Sequence, residues 1–487
     1  MDAPGATVRL RSSSGRWVVL ATVLGSSLAM LDATVVNIAL PRIREDLDTD
    51  VAGLQWVLSG YTLTLASLIL LAGALGDRLG RRKVFVWGTV WFAVASLLCG
   101  LAPSIELLVL ARILQGVGAA LLTPGSLALL SAAIDPDDRG AAIGLWSGLG
   151  GVAAAIGPML GGWIVEVSSW RVVFLINLPL AAAVVWVAAR HVPESRDPHA
   201  HGRLDVLGAA LAALALGSLT LGLIGTRWLP GAVGVLLFAA FVIVERRSAN
   251  PLVPPALFRS RVFVAANLVT LAVYTALGGV FFLLVLQLQL AAGYSPLASG
   301  VATLPITVLM LVFSSRAGRF AQHRGPRLPM TAGPLLAAAG LLLMLRIGPG
   351  ASYLTDVLPG VLVFGLGLSA LVAPLTAAVL TSVSTDRAGI ASGVNNAIAR
   401  SSQLLAVAAL PGLAGIVGSD FSDPAAFSHG FDVAMLICAV LLVLGAVLAV
   451  SMIPVAVPAV VDEESVACQP HCDISAPAVQ PERAHES

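Results

Sequence analysis

Two ionisable side chains stand where charge is costly. Asp32 interrupts an apolar run near residues 17–40, and Arg112 interrupts another near 105–130. Groups of this kind inside a membrane-length run are rare unless they pair or face water. Asp32 lies nine residues before Pro41, roughly 13 Å along a helix, and Arg112 lies seven residues after Ile105, roughly 10 Å. In antiparallel helices the two share a depth and can meet. Burial favours a protonated carboxyl, whereas a guanidinium beside it favours the carboxylate. The pair therefore suits either of two roles: a static tie between helices, or a proton carrier, Asp32, with Arg112 as its modulator. Gln115, one turn beyond Arg112, belongs to the same polar face. Far along the chain, Arg400 sits near the middle of a run at 388–415, with no acid at clear membrane depth in that half. It fits a donor to helix carbonyls or a contact for an anionic group.

Little else in the chain could carry chemistry. Of 487 residues 57% are hydrophobic and only 11% charged, with a mean hydropathy of +0.92; an average soluble domain has about 25% charged residues. That excludes a soluble enzyme, a disordered chain and a nucleic-acid binder. Lys+Arg is 28 against Asp+Glu 27, so no net charge marks an acidic or basic partner. The single lysine, Lys83, stands between Arg82 and Val84, so there is no Walker A loop. Neither His-Glu-x-x-His nor Gly-x-Ser-x-Gly occurs, and Gly148, Gly150 and Ala153 only imitate a dinucleotide loop inside an apolar run. Cys99 and Cys438 read as small hydrophobes. Cys468, His471 and Cys472 form a loose cluster in a Pro- and Ala-rich tail, short of the four ligands a structural zinc site wants. The expectation is no enzyme, no cofactor and no metal, with any work drawn from an ion gradient.

These residues must be held by membrane-spanning helices. A bilayer core of about 30 Å needs around 20 apolar residues per helix. Such windows fall near 17–40, 53–75, 84–101, 105–130, 140–165, 172–189, 204–224, 228–245, 262–290, 297–317, 328–346, 354–380, 388–415 and 432–453. None shows the strict alternation of a membrane barrel. Sorting the basic residues by loop, with Arg9, Arg11 and Arg16 on the cytoplasmic side, leaves only Arg42, Arg44, Arg171, Arg227 and Arg346 outside. One helix more or fewer would scramble that pattern, so the bias supports fourteen spans with both termini cytoplasmic.

The halves repeat. Gly73-Ala-Leu-Gly-Asp77-Arg78-Leu-Gly80-Arg81-Arg82 recurs 245 residues later as Gly318-Arg-Phe-Ala-Gln322-His323-Arg-Gly325-Pro326-Arg327, and Asp138-Arg139 recurs 248 residues later as Asp386-Arg387. The expected fold is an all-α membrane protein of 14 transmembrane helices, with two parallel six-helix repeats and an inserted central pair. The expected divisions are a cytoplasmic tail (1–16), an N-terminal bundle (17–190), a linker with the inserted hairpin (191–261), a C-terminal bundle (262–455) and a disordered cytoplasmic tail (456–487).

Leu31-Asp32-Ala33-Thr34-Val35-Val36-Asn37-Ile38-Ala39-Leu40-Pro41 resembles the signature of the fourteen-helix drug:proton antiporters, a branch of the major facilitator superfamily. The Gly73–Lys83 loop, Arg112-Ile-Leu-Gln115-Gly116-Val-Gly118, Gly157-Pro158-Met-Leu-Gly161-Gly162, and Trp170-Arg171 through Asn177-Leu-Pro179 agree with it. The likeness is dense over the first 200 residues and thinner but collinear to about 455. It implies efflux of small hydrophobic drugs or antibiotics across a bacterial cytoplasmic membrane, driven by the proton gradient. The alternatives are a dedicated exporter of one self-made metabolite and a proton-linked uptake carrier. The expected partners are small hydrophobic molecules, protons and the lipid bilayer, with no nucleic acid and no obligate protein partner.

The likeness also implies roles. Asp32 would carry the proton and Arg112 would modulate it. Asp77, Arg78, Arg81 and Arg82 would form a conformational latch, which the second copy cannot match because Gln322 replaces the acid. Gly157, Pro158, Gly161 and Gly162 would let helix 5 bend and pack closely. Asn37, Gln115, Asn267, Gln287, Asn395, Asn396 and Arg400, with Gln289 and Tyr274, are the candidates for lining a substrate cavity. With Asp32 the sole acid at membrane depth, neutral or weakly acidic aromatic substrates fit better than cationic dyes.

Overall fold

A computed structural model describes residues 8–196, 204–248, 251–384, 387–416 and 418–455. The expected tail at 456–487 and Asp386 lie outside the described residues, as does the Cys468, His471 and Cys472 cluster. The first six spans are α1 (Ser13–Leu47), α2 (Val51–Leu79), α3 (Arg81–Gly100), α4 (Ile105–Ala133), α5 (Pro136–Val167) and α6 (Trp170–His191). A hairpin of α7 (Val206–Ile224) and α8 (Trp228–Arg247) follows. The last six are α9 (Arg261–Ala291), α10 (Pro296–Arg324), α11 (Arg327–Met344), α12 (Tyr353–Thr381), α13 (Ala388–Leu413) and α14 (Pro424–Met452). The fourteen-helix fold thus holds among the described residues. Among the described residues thirteen of these helices are long and apolar enough to cross a membrane; α13, which carries Asn395, Asn396, Arg400 and Gln403, is the less apolar fourteenth.

Several helices outrun their apolar windows because polar caps extend them. Ser12 Oγ accepts the Gly15 N–H at 3.0 Å, so α1 starts at Ser13, inside the stretch assigned to the tail. The residues before it are pinned as well: the Val8 N–H donates to Ala133 O, and the Leu10 N–H to Asp138 Oδ2. Asp423 caps α14, which begins at Pro424 rather than near 432. In α6 the helical pattern is interrupted at Ile176. Pro179 has no N–H to offer the Leu175 carbonyl one turn back. The repeated loops share a backbone device: Gly80 and Gly325 end α2 and α10 at φ +112° and +85°, where a side chain would strain the chain.

Within the first half α4 packs on α1, α2 and α3, and α5 lies along α1; in the second, α12 packs on α10 and α11, and α14 on α9 and α11. The halves meet along two main seams, α5 with α10 and α2 with α13, and α7 covers the second by touching both helices. Its partner α8 buries only Gly234 and Glu245, so almost its whole surface is apolar and outward-facing, as a lipid-exposed helix should be.

Hydrogen bonds between the halves gather at the end opposite the two termini. There Gln55 Nε2 donates to Val407 O (2.7 Å), Gln289 Nε2 donates to Ile38 O (3.1 Å), and Glu166 Oε2 accepts from Ser295 Oγ (2.8 Å). One apolar core joins both halves at that end, whereas a second, around Phe85, Phe92 and Leu122, is drawn from the first six helices.

Candidate functional site

The sequence places one carboxylate in the first half at membrane depth, and the fold surrounds it. Asp32 on α1 is 1% exposed and Arg112 on α4 is 1% exposed. Arg112 Nη1 donates to Asp32 Oδ2 at 2.5 Å and to Gln115 Oε1 at 2.6 Å. The other carboxylate oxygen accepts from Gln115 Nε2 (2.8 Å) and Asn177 Nδ2 (3.1 Å), and both amides also donate to Ser96 Oγ. Arg112 Nε donates to the Val57 carbonyl at 3.0 Å, and the guanidinium carbon lies 4.3 Å from the centre of the Tyr61 ring. Four helices of one half and the break in α6 thus hold a single ion pair. A charge-assisted network of this kind stays put only while every member is paired.

Sequence reasoning found Asp32, Arg112 and Gln115 but missed Ser96, Asn177 and Tyr61 as their partners. Asn177 was visible within the Trp170–Pro179 motif. Ser96 and Tyr61 are single polar residues on long helices, and helical rotation, which decides their roles, is not written in composition.

A cavity of about 750 Å³ lies between the halves, lined from α1, α2, α5, α9, α10, α12 and α13. Ala33, Thr34 and Asn37 of α1 face it, but Asp32 does not: Asp32 turns into the first half, beside a small apolar recess shared with Leu31, Leu160 and Asn177. Tyr61 is the bridge. It is one of the residues bounding the cavity, though only 3% exposed, and its ring carries Arg112 on one face. The cross-half contacts close the cavity at the end away from the termini, and the lining runs toward the terminus-bearing end through the exposed Gly144, Ser147 and Ser315.

Of the residues expected to line the cavity, Asn37 and Arg400 do so. The others are placed elsewhere, each held by a nearer partner. Gln115 is used by the ion pair. Asn395 Nδ2 donates to Asn267 Oδ1 (3.0 Å) and Thr270 Oγ1 (2.8 Å), which ties α13 to α9. Gln287 Nε2 donates to Ile347 O (2.5 Å) and Ser428 Oγ (2.9 Å) within the second half. Asn396 is exposed and donates to Ser392 O on its own helix. Tyr274 does not reach the cavity either, and Gln289 instead clamps the halves from the π turn that ends α9.

At the junction of α2 and α3, Asp77 in the last turn of α2 pairs with Arg81, the first residue of α3, at 2.8 Å, on its own side of the molecule. Arg82 Nη1 donates to Val192 O (3.0 Å), and Glu194, unmarked in the sequence, accepts from the Arg82 and Lys83 backbone N–H groups at the start of α3 (3.0 and 3.2 Å). On α5 the glycines are contact points. A Cβ on Gly161 would stand 2.5 Å from Val35 Cγ1 and one on Gly162 2.5 Å from the Pro296 carbonyl, while Gly157 meets Thr34 and Pro158 meets Gly300. The Trp170-Arg171 pair has a structural partner: Trp170 Nε1 donates to Asp46 Oδ2 at 2.9 Å, and Arg171 ion-pairs with the same carboxylate.

The family profile described as Major Facilitator Superfamily matches residues 22–407. A relative named multidrug resistance protein Stp, from Mycobacterium tuberculosis (strain CDC 1551 / Oshkosh), is 36% identical over 78% of this chain and 72% of its own. The tetracenomycin C resistance and export protein of Streptomyces glaucescens is 36% identical over 87% of this chain and 81% of its own. The methylenomycin A resistance protein of Streptomyces coelicolor (strain ATCC BAA-471 / A3(2) / M145) is 36% identical over 88% and 90%. Among solved structures, a bacterial homologue of the human lysosomal transporter Spinster, inward-facing and unoccupied, superposes with a TM-score of 0.66 at 17% identity, covering 90% of this chain and 97% of that one.

Proposed function

Since the chain belongs to the Major Facilitator Superfamily and is a multi-pass membrane transporter rather than an enzyme, we propose that it exports small hydrophobic drugs or antibiotics across a bacterial cytoplasmic membrane in exchange for protons. Both termini face the cytoplasm, α1–α6 and α9–α14 are the two moving bundles, and the structure is the inward-open state. Relatives named for tetracenomycin C and methylenomycin A support a dedicated antibiotic exporter, and the multidrug relative supports a broader range.

One observation carries the reading: a fully buried Asp32–Arg112 pair set one tyrosine ring away from the cavity. With the outer end closed, Asp32 is paired, which is the state expected after its proton has left for the cytoplasm. Substrate entering from the cytoplasm or inner leaflet packs against Tyr61, on whose far face the guanidinium rests. When the bundles rock, Arg112 is drawn from the carboxylate, which is then an unpaired buried charge and takes a proton from outside. Protonated Asp32 relaxes the pair's demand for closure, the substrate leaves, and the return resets the site. Asp77, Arg78, Arg81 and Arg82 would latch the cytoplasmic side in the opposite state; Asp77 is held by Arg81 here, as a released latch should be. Gly157, Pro158, Gly161 and Gly162 let α5 approach α1 and α10 closely enough to seal the outer side.

The test is resistance and accumulation in drug-sensitive cells with puromycin, tetracenomycin C and methylenomycin A. Wild type is expected to raise resistance to at least one of them and Asp32→Asn to none, at equal protein level in the membrane. Full resistance from Asp32→Asn would refute the coupling role.

A further inference from the structure

The cavity has a sign. Among its described lining residues Arg400 is the one charged side chain; the others are apolar, aromatic or neutral polar. No Asp, Glu, Lys or His among the described residues lines it. Arg400 also lacks an acidic partner among the described residues: its one side-chain hydrogen bond runs from Nη1 to Gln403 Oε1 at 3.2 Å, on the next turn of α13. A guanidinium offers five N–H donors, so most of its capacity is directed at whatever fills the cavity. The contrast with Arg112, whose charge is cancelled by Asp32, is complete.

The position is built rather than incidental. Gly278 on α9 brings the α13 backbone in close, since a Cβ there would lie 2.8 Å from Gln403 Cα and from its carbonyl oxygen. That approach sets Arg400 and Gln403 beside Phe281 and Phe282 of α9, with Tyr61 and Leu58 of α2 also in the wall. A charge at membrane depth is costly without a counter-charge, and none of the described residues supplies one to Arg400.

Resting on the export reading above, we propose that the cavity selects aromatic molecules bearing an acidic group, a carboxylate, phenolate or enolate, which pairs with Arg400 while the rings pack on Phe281 and Met310. Gln403 positions the guanidinium from behind. Cations of the same shape meet the Arg400 charge with no acid to offset it and are disfavoured.

The test is fluorescence polarisation with purified full-length protein in detergent, using two xanthene dyes of similar bulk, anionic fluorescein and cationic rhodamine 123. No gradient is needed, so a failure of proton coupling leaves the measurement intact, and a failure here leaves coupling unaffected. Wild type is expected to bind fluorescein about tenfold or more tightly than rhodamine 123, a charge-assisted hydrogen bond's worth. Arg400→Gln should abolish that preference, and Arg400→Lys, which keeps the charge, should retain most of it. Equal binding of both dyes by wild type, no binding of either, or an undiminished preference in Arg400→Gln would each overturn the proposal. Should Arg400→Gln fail to fold, the wild-type ratio and the Arg400→Lys result decide alone.

Discussion

Each half of the molecule carries one arginine at membrane depth, and the two are placed in opposite ways. Arg112 in the first half is fully enclosed, with its donors spent on Asp32, Gln115 and Val57 O and a face on Tyr61. Arg400 in the second half lines the open cavity with Gln403 as its single side-chain partner. On the reading proposed above, the same residue type does two jobs. A charge neutralised inside one bundle can register a proton, because its partner's ionisation decides whether the bundle is comfortable. A charge left without a partner in the wall can only be answered by what enters. The loops tell the same story, since Asp77 has an acid to contribute to a latch and its counterpart Gln322 has none.

Breaking the first half's pairing has the largest expected effect. Arg112→Leu leaves Asp32 as an uncompensated buried charge, at a cost of about 3–5 kcal/mol. Detergent thermal unfolding should drop by several degrees and efflux should vanish; an unchanged melting temperature would mean the pair is not the enclosed network described. Next comes the seam the two halves share. Gly162→Val puts branched carbons against the Pro296 carbonyl, where a Cβ alone stands 2.5 Å away. Outer closure should fail, transport should fall at least about tenfold, and a cysteine pair across α5 and α10 should lose its cross-linking. The smallest effect belongs to the α3 cap. Glu194→Gln weakens the hold on the Arg82 and Lys83 N–H groups by about 1 kcal/mol, so stability should slip slightly while transport stays within about twofold. A large transport loss there would extend the first half's machinery down to the loop.

How much of this could be read in the chain follows from which properties are local. Helix number, the repeat and the inserted pair were legible because apolar length and loop charge are local and additive. The Asp32–Arg112 contact was legible because depth follows from counting along two helices. Rotation is not local, and there the reading failed: Gln115, Asn267, Gln287 and Asn395 are polar residues of the expected type that turn to partners inside their own bundles, and Asn396 is exposed away from the cavity. Polar side chains in an apolar helix must find hydrogen bonds, and the nearest usually lies on a neighbouring helix, not in the cavity. Glu194 escaped notice because a capping carboxylate in a loop looks like any surface acid. Helix ends such as Ser13 and Pro424 were missed because hydropathy sees the bilayer and not the cap.

The central claim is that proton and substrate use different places joined through Arg112 and Tyr61. The direct measurement is drug-induced proton flux in everted membrane vesicles, paired with drug counterflow in the same vesicles without a gradient. Wild type should release protons on adding drug and show counterflow. Asp32→Asn should keep counterflow and lose the proton signal entirely. A variant that still releases protons at the wild-type rate would contradict the account.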